Sequence, residues 1–484
     1  MTTNSALPKL IRTDRAFCIA PAGAGKTETI LDLCLHQSDA HGKQLILTHT
    51  HAGVHSIKKR LIAKGYSRTI ADINTIDSFC IEWVHAYPYL SGLNQKSTSD
   101  VNWTDVRKAF LQLVANPHIK NILQLTWQGL IVDEYQDCGK DQHLVILELS
   151  HLMKARIFGD PLQGIFEFDG SILDWDQDVA TNFTFVPFDP IPARWMKTAP
   201  DMGNWLINKR KEIIQTRKIS LDGELPGNVH VVHSADYREN LKQCSSNRYK
   251  NIDDSHLVIH HQATQQHSAA RNLGGTFRSI EELEFDDLRT FALRFDKADN
   301  QTRIELLLDF IGETATGITK EVKEIIQNLL LGKAIKRKLY IENKDTFDRI
   351  TEIFRDLKIY NAVYVFLFIK KLPGVKIFRG EAWRLCLDSL KKYGEGSYPN
   401  LTDSVKARTN QYRHAGRFED PSTVGRIRLV KGLEFDHVYL FNFHQYSDPR
   451  EAYVALTRAK KTLTIFTDRK VITYTNPGLP DVLK

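Results

Sequence analysis

Pro21-Ala-Gly-Ala-Gly-Lys-Thr27 stands between an apolar run, Ala16-Phe-Cys-Ile-Ala20, and a helical pattern from Glu28 to Leu35. A strand, a glycine-bearing loop ending in Gly-Lys-Thr and a helix, in that order, place a phosphate-binding P-loop in its expected context. Gly23 and Gly25 let the backbone fold tightly, so that the loop's N–H groups, those of Ala22 and Ala24 included, face phosphate together with the helix N-terminus. Lys26 brings an ammonium to the β- and γ-phosphates, and the Thr27 hydroxyl is placed to ligate Mg²⁺. The generic pattern has glycine at position 20, where this chain has Ala20. The competing reading of this stretch is a chance glycine turn.

A second stretch bears on that choice. Leu130-Ile-Val-Asp-Glu-Tyr-Gln-Asp137 leads apolar residues into two acids. Such a run sets carboxylates at the C-terminal end of a strand, where open α/β sheets bind ligands. Asp133 can hold Mg²⁺ through water, and Glu134 can orient and deprotonate an attacking water. An acid pair at a strand end is commonplace by itself. Beside a P-loop it points to hydrolysis of a nucleoside triphosphate, with ATP and Mg²⁺ as the expected cofactors.

Composition excludes several other classes. The 484 residues are 42% hydrophobic and 25% charged, a balance ordinary for a chain of more than one globular domain. Ala362–Ile369, the longest apolar run, is too short to span a bilayer. The opening Met-Thr-Thr-Asn-Ser-Ala-Leu-Pro-Lys-Leu lacks a basic-then-apolar secretion pattern, so a cytoplasmic protein with no membrane contact is expected. Cys18, Cys34, Cys80, Cys138, Cys244 and Cys386 show no CxxC spacing and read as reduced thiols. A formal charge of +7 permits a polyanionic partner without requiring one.

With these residues in place the chain resembles the UvrD/Rep/PcrA branch of superfamily 1 DNA helicases. After the P-loop, Thr48-His-Thr-His-Ala-Gly-Val54 resembles that family's TxTNKAA block, and Asn74-Thr-Ile-Asp-Ser-Phe79 resembles GTFHSF. Asp133-Glu-Tyr-Gln-Asp137 and Gly159-Asp-Pro-Leu-Gln-Gly-Ile-Phe166 follow, and Ala193-Arg194 stands where the family has NYRS. Arg428-Leu-Val-Lys-Gly-Leu-Glu-Phe435 resembles HSAKGLEF, and Tyr453-Val-Ala-Leu-Thr-Arg-Ala459 resembles YVGVTRA. The blocks keep the family's order.

The resemblance implies an α/β protein of two RecA-like P-loop domains, parallel sheets flanked by helices, with nucleotide between them. It implies that Arg194 and Arg458 reach the γ-phosphate from the second domain as arginine fingers, so that hydrolysis needs a closed cleft. Glu434 resembles the acid at the nucleotide sugar, Gly432 lets backbone approach phosphate, and Gln163 matches a γ-phosphate contact. Thr48, His49 and Thr75 fall in blocks that line the nucleic-acid track. Phe166 and Phe168 resemble rings that stack on single-stranded bases, an interaction worth about 1–3 kcal/mol per base; core packing beneath the cleft suits them also.

The departures fall on two sides. Toward the base, no glutamine precedes the P-loop, Glu28 stands where the family has an arginine, and Ala193 replaces a stacking tyrosine for which Trp195 is the available substitute. Toward nucleic acid, His51 and Ala52 replace Asn-Lys, Asp77 replaces histidine, Asp169 replaces arginine, and Arg428 restores one cation. Each lost cation weakens the phosphate contacts that dominate DNA affinity. His49, His51 and His55 resemble a metal cluster only by count, with no nearby acid or cysteine to complete it.

The expected organisation is a first RecA-like domain over 1–190 with a short helical insertion at 85–125, a second over 191–280 and 415–484, and a helical insertion over 281–414. Val322, Ile325, Ile326, Leu329 and Leu330 share one helix face, as do Phe347, Ile350, Ile353, Phe354 and Leu357. The cluster Lys333, Lys336, Arg337, Lys338 reads as a solvated helix end or a DNA contact. The chain stops soon after the Arg458 block, which reads as a pared-down member without the family's C-terminal tail. That form also resembles the helicase component of the Gabija anti-phage system, whose partner is an OLD-family nuclease. The leading expectation is an ATP-dependent translocase or helicase on single-stranded or tailed duplex DNA, moving 3′ to 5′ by analogy. The alternative is a regulatory NTPase module that switches a partner nuclease with little unwinding. A metabolic P-loop kinase leaves the Arg194, Glu434 and Arg458 blocks unexplained.

Overall fold

The computed structural model describes residues 5–67, 69–93, 101–165, 173–234, 236–282, 284–415, 420–475 and 479–483. Its strands are β1 (Arg15–Ile19), β2 (Gln44–Thr48), β3 (Ala71–Thr75), β4 (Gly129–Val132), β5 (Lys154–Gly159), β6 (Thr184–Phe185) and β7 (Lys218–Ser220). The second half adds β8 (Val229–Val232), β9 (His256–His260), β10 (Arg278–Ser279), β11 (Ser422–Arg426), β12 (Phe435–Leu440), β13 (Ala459–Phe466) and β14 (Val471–Thr473).

Two six-stranded sheets result, in the orders β3-β2-β4-β5-β1-β6 and β10-β11-β9-β12-β13-β8. Every pairing within them is parallel, while β7 and β14 form a small antiparallel pair. The reason is legible in the side chains. Leu-Ile-Leu of β2, Leu-Ile-Val of β4 and Leu-Val-Ile of β9 are fully buried, as parallel strands covered by helices on both faces must be. This is the expected α/β architecture of two RecA-like domains.

The apolar run Phe183-Thr-Phe-Val-Pro-Phe188, itself strand-like in sequence, pairs with β1 only at Thr184 and Phe185, because Pro187 cannot donate to a ladder. Helices Ile76–Ala86, Trp103–Ala115 and Pro117–Thr126 lie between β3 and β4. Their buried faces, Phe79, Phe110, Leu113 and Leu123 among them, share one core with Leu45, Leu130 and Ile157 of the first sheet.

β10 and β11 are neighbours in the second sheet, with Arg278 opposite Thr423. The helical segment between them therefore leaves and rejoins the sheet at adjacent strands. Its helices run from Asp286–Lys297 to Leu401–Ala415 around their own core, which contains Val322, Ile325, Ile326, Phe347, Ile350, Phe354 and Leu357. Ile353, Leu329 and Leu330 pack against that core from its margin. Arg337 pairs with Glu324 at 2.7 Å and Lys338 with Glu342 at 3.6 Å, in keeping with a solvated helix end.

Candidate nucleotide site between the two sheets

Strand register places the site. Val132 of β4 lies opposite Ile157 of β5, and Ile19 of β1 lies opposite Gly159 at the end of β5. Three neighbouring strands thus end together, and the P-loop, Asp133-Glu134 and Asp160 emerge side by side at the sheet's C-terminal edge. The helix Lys26–His41 starts on the lysine, so its N-terminus points the same way. Gly23 and Gly25 take φ of +69° and +82°, a left-handed turn that only glycine adopts freely.

Lys26 joins the acids. Its Nζ is 2.9 Å from Asp133 Oδ1 and 2.5 Å from Glu134 Oε1. Burial works against the ammonium, yet these two carboxylates outweigh it and raise the lysine above its usual range. Burial alone would raise the Glu134 carboxyl, but Lys26 and the amide of Gln136 hold it at about 2, while burial pushes Asp133 up. Glu134 is therefore an anion at any working pH. It sits in left-handed backbone, φ 55°, with its N–H donating to Asp133 Oδ1 at 2.9 Å. A non-glycine residue held there by its neighbours' side chains is a feature of functional loops.

The second sheet meets this edge with the opposite end of its strands. Glu434 immediately precedes β12 and Arg458 immediately precedes β13. Tyr453 Oη accepts the N–H of Ala22 at 3.2 Å, and the N–H of Arg194 donates to Gly23 O at 3.0 Å. A methyl on Gly23 would lie 2.5 Å from the Trp195 ring. Trp195 is 1% exposed and donates its indole N–H to Ala459 O at 2.7 Å, so its ring packs on the P-loop and is not open to a base. Lys431 forms a buried ion pair with Asp137 across the two domains.

Arg194 donates to Thr457 O at 2.5 Å and pairs with Glu434 at 2.6 Å. Arg458 is 3% exposed and donates to Val454 O, Thr457 Oγ1 and Leu433 O. Burial, with Arg194 nearby, pulls its pKa down to about 10. Both expected fingers are thus at the cleft and hold contacts within the second domain; reaching a phosphate requires exchanging some of them. Gly432 has φ +83° and open space where a side chain would stand. Gln163 donates its amide to Asp160 Oδ2 at 3.1 Å and is nearly buried.

The expected nucleic-acid residues are more dispersed. Thr48 is fully buried at the end of β2, and Thr75 caps the helix Ile76–Ala86 by accepting the N–H of Ser78 at 3.0 Å. Burial lowers the pKa of His49, which lies near Asp77. Asp77 takes Arg107 in a bidentate pair at 2.7 and 2.8 Å and also accepts from Gln142 at 3.1 Å. Arg428 is largely exposed, 3.5 Å from Glu451. Phe166, Phe168 and Asp169 lie outside the described residues. Among the described residues no group of histidine, cysteine and acid suits a metal ion on its own ligands. Thr27, Asp133 and a nucleotide's phosphates together remain a set that Mg²⁺ accepts, since it is usually bound by one or two carboxylates plus substrate phosphates.

Sequence reasoning left Gln136, Asp137, Lys431 and Tyr453 without roles, although each stands inside a quoted block. Arg210 stands in none, and no local pattern marks it. The Lys431–Asp137 pair has a measurable consequence. Burial pushes Asp137 up to about 6, and hydrolysis should fall as pH drops through that value, because Lys431 loses its counter-charge. Stability moves the other way: a carboxyl raised above its ordinary 3.8 favours the fold most below 3.8 and loses that contribution as pH rises through about 6. A pH–rate profile of Asp137→Asn should be slower throughout and lack the acid limb; a limb that persists unchanged sinks this assignment.

Two parallel sheets bring a P-loop, an acid pair and two arginines to one cleft, an arrangement that suits binding and hydrolysis of a nucleoside triphosphate. Residues 3–169 match the AAA domain family. Along nearly its whole length the chain is similar to the Gabija protein GajB of Bacillus cereus (strain VD045), with 22% identity over 93% of this chain and 92% of that protein. The resemblance read from the ordered blocks, to a superfamily 1 helicase of the GajB kind, is borne out. Among solved structures, the Pif1 helicase from Candida albicans aligns over 97% of this chain and 95% of its own at 12% identity and a TM-score of 0.40. Bacteroides sp Pif1 in complex with ADP-AlF4 aligns over 56% of each chain at 15% identity and a TM-score of 0.29. No described helix is long and apolar enough to cross a membrane.

Proposed function

We propose that this chain is a UvrD-like, ATP-dependent translocase and helicase on single-stranded or 3′-tailed DNA, acting in the cytoplasm as part of an anti-phage complex with an OLD-family nuclease. The observation that carries the reading is the closure of the second domain on the P-loop, through Tyr453 to Ala22 and Arg194 to Gly23. Hydrolysis in such a cleft is felt by both domains, which is what stepping along a strand requires.

ATP would be held by the loop from Ala22 to Thr27, with Lys26 released from its acids toward the phosphates. Mg²⁺, where bound, supplies charge at the reacting phosphate, and Thr27 and Asp133 are the residues that would hold it. Glu134 accepts the proton of the attacking water. Arg194 and Arg458 lend charge from the second domain, Glu434 and Gly432 face the nucleotide, and Gln163 relays its state toward Phe166 and Phe168. The domain division follows the same logic: 1–190, then 191–280 with 415–484, and a helical insertion over 281–414.

A second reading, a regulatory NTPase, is favoured by the DNA side. There Asp77 neutralises Arg107, and Arg428 stands beside Glu451. ATPase measured with and without single-stranded DNA, alongside strand displacement on a 3′-tailed duplex, separates the two. The helicase reading expects stimulation of about tenfold or more and displaced strand, and Gln163→Ala should abolish the stimulation while ATP still binds. Hydrolysis indifferent to DNA, or no displacement, favours the switch.

A further inference from the structure

Arg210 lies on the helix Pro200–Thr216, whose Met202, Leu206 and Ile213 are buried in the second domain's core. Its guanidinium points out of that core to the first domain, with Nη2 2.7 Å from Asp160 Oδ1. The Asp160 side chain is completely buried. Its other contacts are the N–H of Leu162 at 3.2 Å on Oδ1 and the amide of Gln163 at 3.1 Å on Oδ2. The guanidinium also stands 5.8 Å over the ring of Tyr453, whose hydroxyl accepts from the P-loop at Ala22.

Asp160 reaches the hydrolytic acid by another route. Its N–H donates to Gln136 Oε1 at 3.0 Å, which turns the amide NH₂ of Gln136 toward Glu134 Oε2 at 2.5 Å. One buried carboxylate and its own backbone therefore orient both Gln163 and, through Gln136, Glu134. The described structure gives that carboxylate a single ion-pair partner, and it comes from the other domain. A buried carboxylate stripped of its counter-charge is costly to keep in place and rearranges, which releases the Gln163 amide.

We propose that Arg210 is a positioning residue of the hydrolytic site: by pairing with Asp160 from the second domain, it holds Gln163 and Glu134 in place only while the two domains are engaged. Domain engagement is thereby coupled to the site without Arg210 touching nucleotide. Leu162 and Ile165, which flank Gln163, are buried in the same second-domain core and anchor the loop to the side from which Arg210 acts. The proposal rests on the reading that this cleft hydrolyses ATP.

The test uses the full chain and steady-state ATPase with and without oligo(dT), comparing wild type with Arg210→Met, Asp160→Asn and the double variant. Arg210→Met should lose about 100-fold in kcat while the KM for ATP stays within about threefold, the split expected when a site is misaligned and not emptied. The double variant should exceed Arg210→Met by about tenfold, because no buried charge is left unpaired. It should also run no more than about threefold slower than Asp160→Asn, since Arg210 acts only through Asp160. That last comparison stands even if Arg210→Met fails to fold. Wild-type kcat in Arg210→Met, or a double variant more than about tenfold slower than Asp160→Asn, overturns the proposal. Absence of hydrolysis in wild type overturns the ATPase reading itself.

Discussion

Glu134→Gln should bind ATP as wild type does and turn it over about 10³-fold more slowly, within the range a general base contributes. The substitution is close to isosteric, and Gln is no more hindered than Glu in the left-handed backbone that position 134 takes, φ 55°. Lys26 retains Asp133 at 2.9 Å, so the P-loop lysine is not released into an apolar cleft. What disappears is an acceptor that Lys26 and Gln136 keep ionised far below neutral pH. Single-turnover hydrolysis and equilibrium binding of a fluorescent ATP analogue, measured on the same preparation, separate chemistry from binding. Turnover within threefold of wild type would mean that another group takes the proton.

Gly23→Ala should also cost hydrolysis heavily, by a different route. The position takes φ +69°, so any side chain carries roughly 1–2 kcal/mol of local strain. The larger obstacle is tertiary: the new methyl would sit 2.5 and 2.7 Å from two atoms of the Trp195 ring. That ring cannot easily yield, since it is buried and tied by its N–H to Ala459 O at 2.7 Å. The loop or the second domain must retreat, and with it the contacts from Tyr453 and Arg194. Hydrolysis is expected to fall about 100-fold, as it does when reacting groups are displaced by about an ångström. Adding Trp195→Leu to Gly23→Ala should recover part of that loss by opening space. If Gly23→Ala alone stays within threefold of wild type, the domains do not close on the P-loop in this way.

Much of this architecture is legible in one sequence, for identifiable reasons. β2, β4 and β9 are continuous apolar runs because both sheet faces are covered, and the insertion helices show their buried faces at helical spacing. The P-loop and the acid pair are legible because phosphate chemistry demands particular residue types within a short loop. β10, at two residues, is not, since so short a ladder leaves no period to read. Trp195, a candidate to replace the stacking tyrosine, instead packs on Gly23. Its neighbours on both sides come from parts of the chain that local pattern does not connect.

Arg210 shows the same limit most clearly. It is separated by 50 residues from Asp160, and its own helix carries no motif. By itself the sequence determined which residue types stand at each strand end: glycines at 23 and 25, Lys26, Asp133, Glu134, and the blocks that supply Arg194 and Arg458. Those identities follow from local needs of backbone shape and charge. Only the tertiary structure decided which of these groups meet across the cleft, that Tyr453 and Trp195 cover the P-loop, and that Asp160 takes its counter-charge from the other domain. A buried charge is stable only where folding brings it a partner, and the choice of partner is settled by packing over the whole chain.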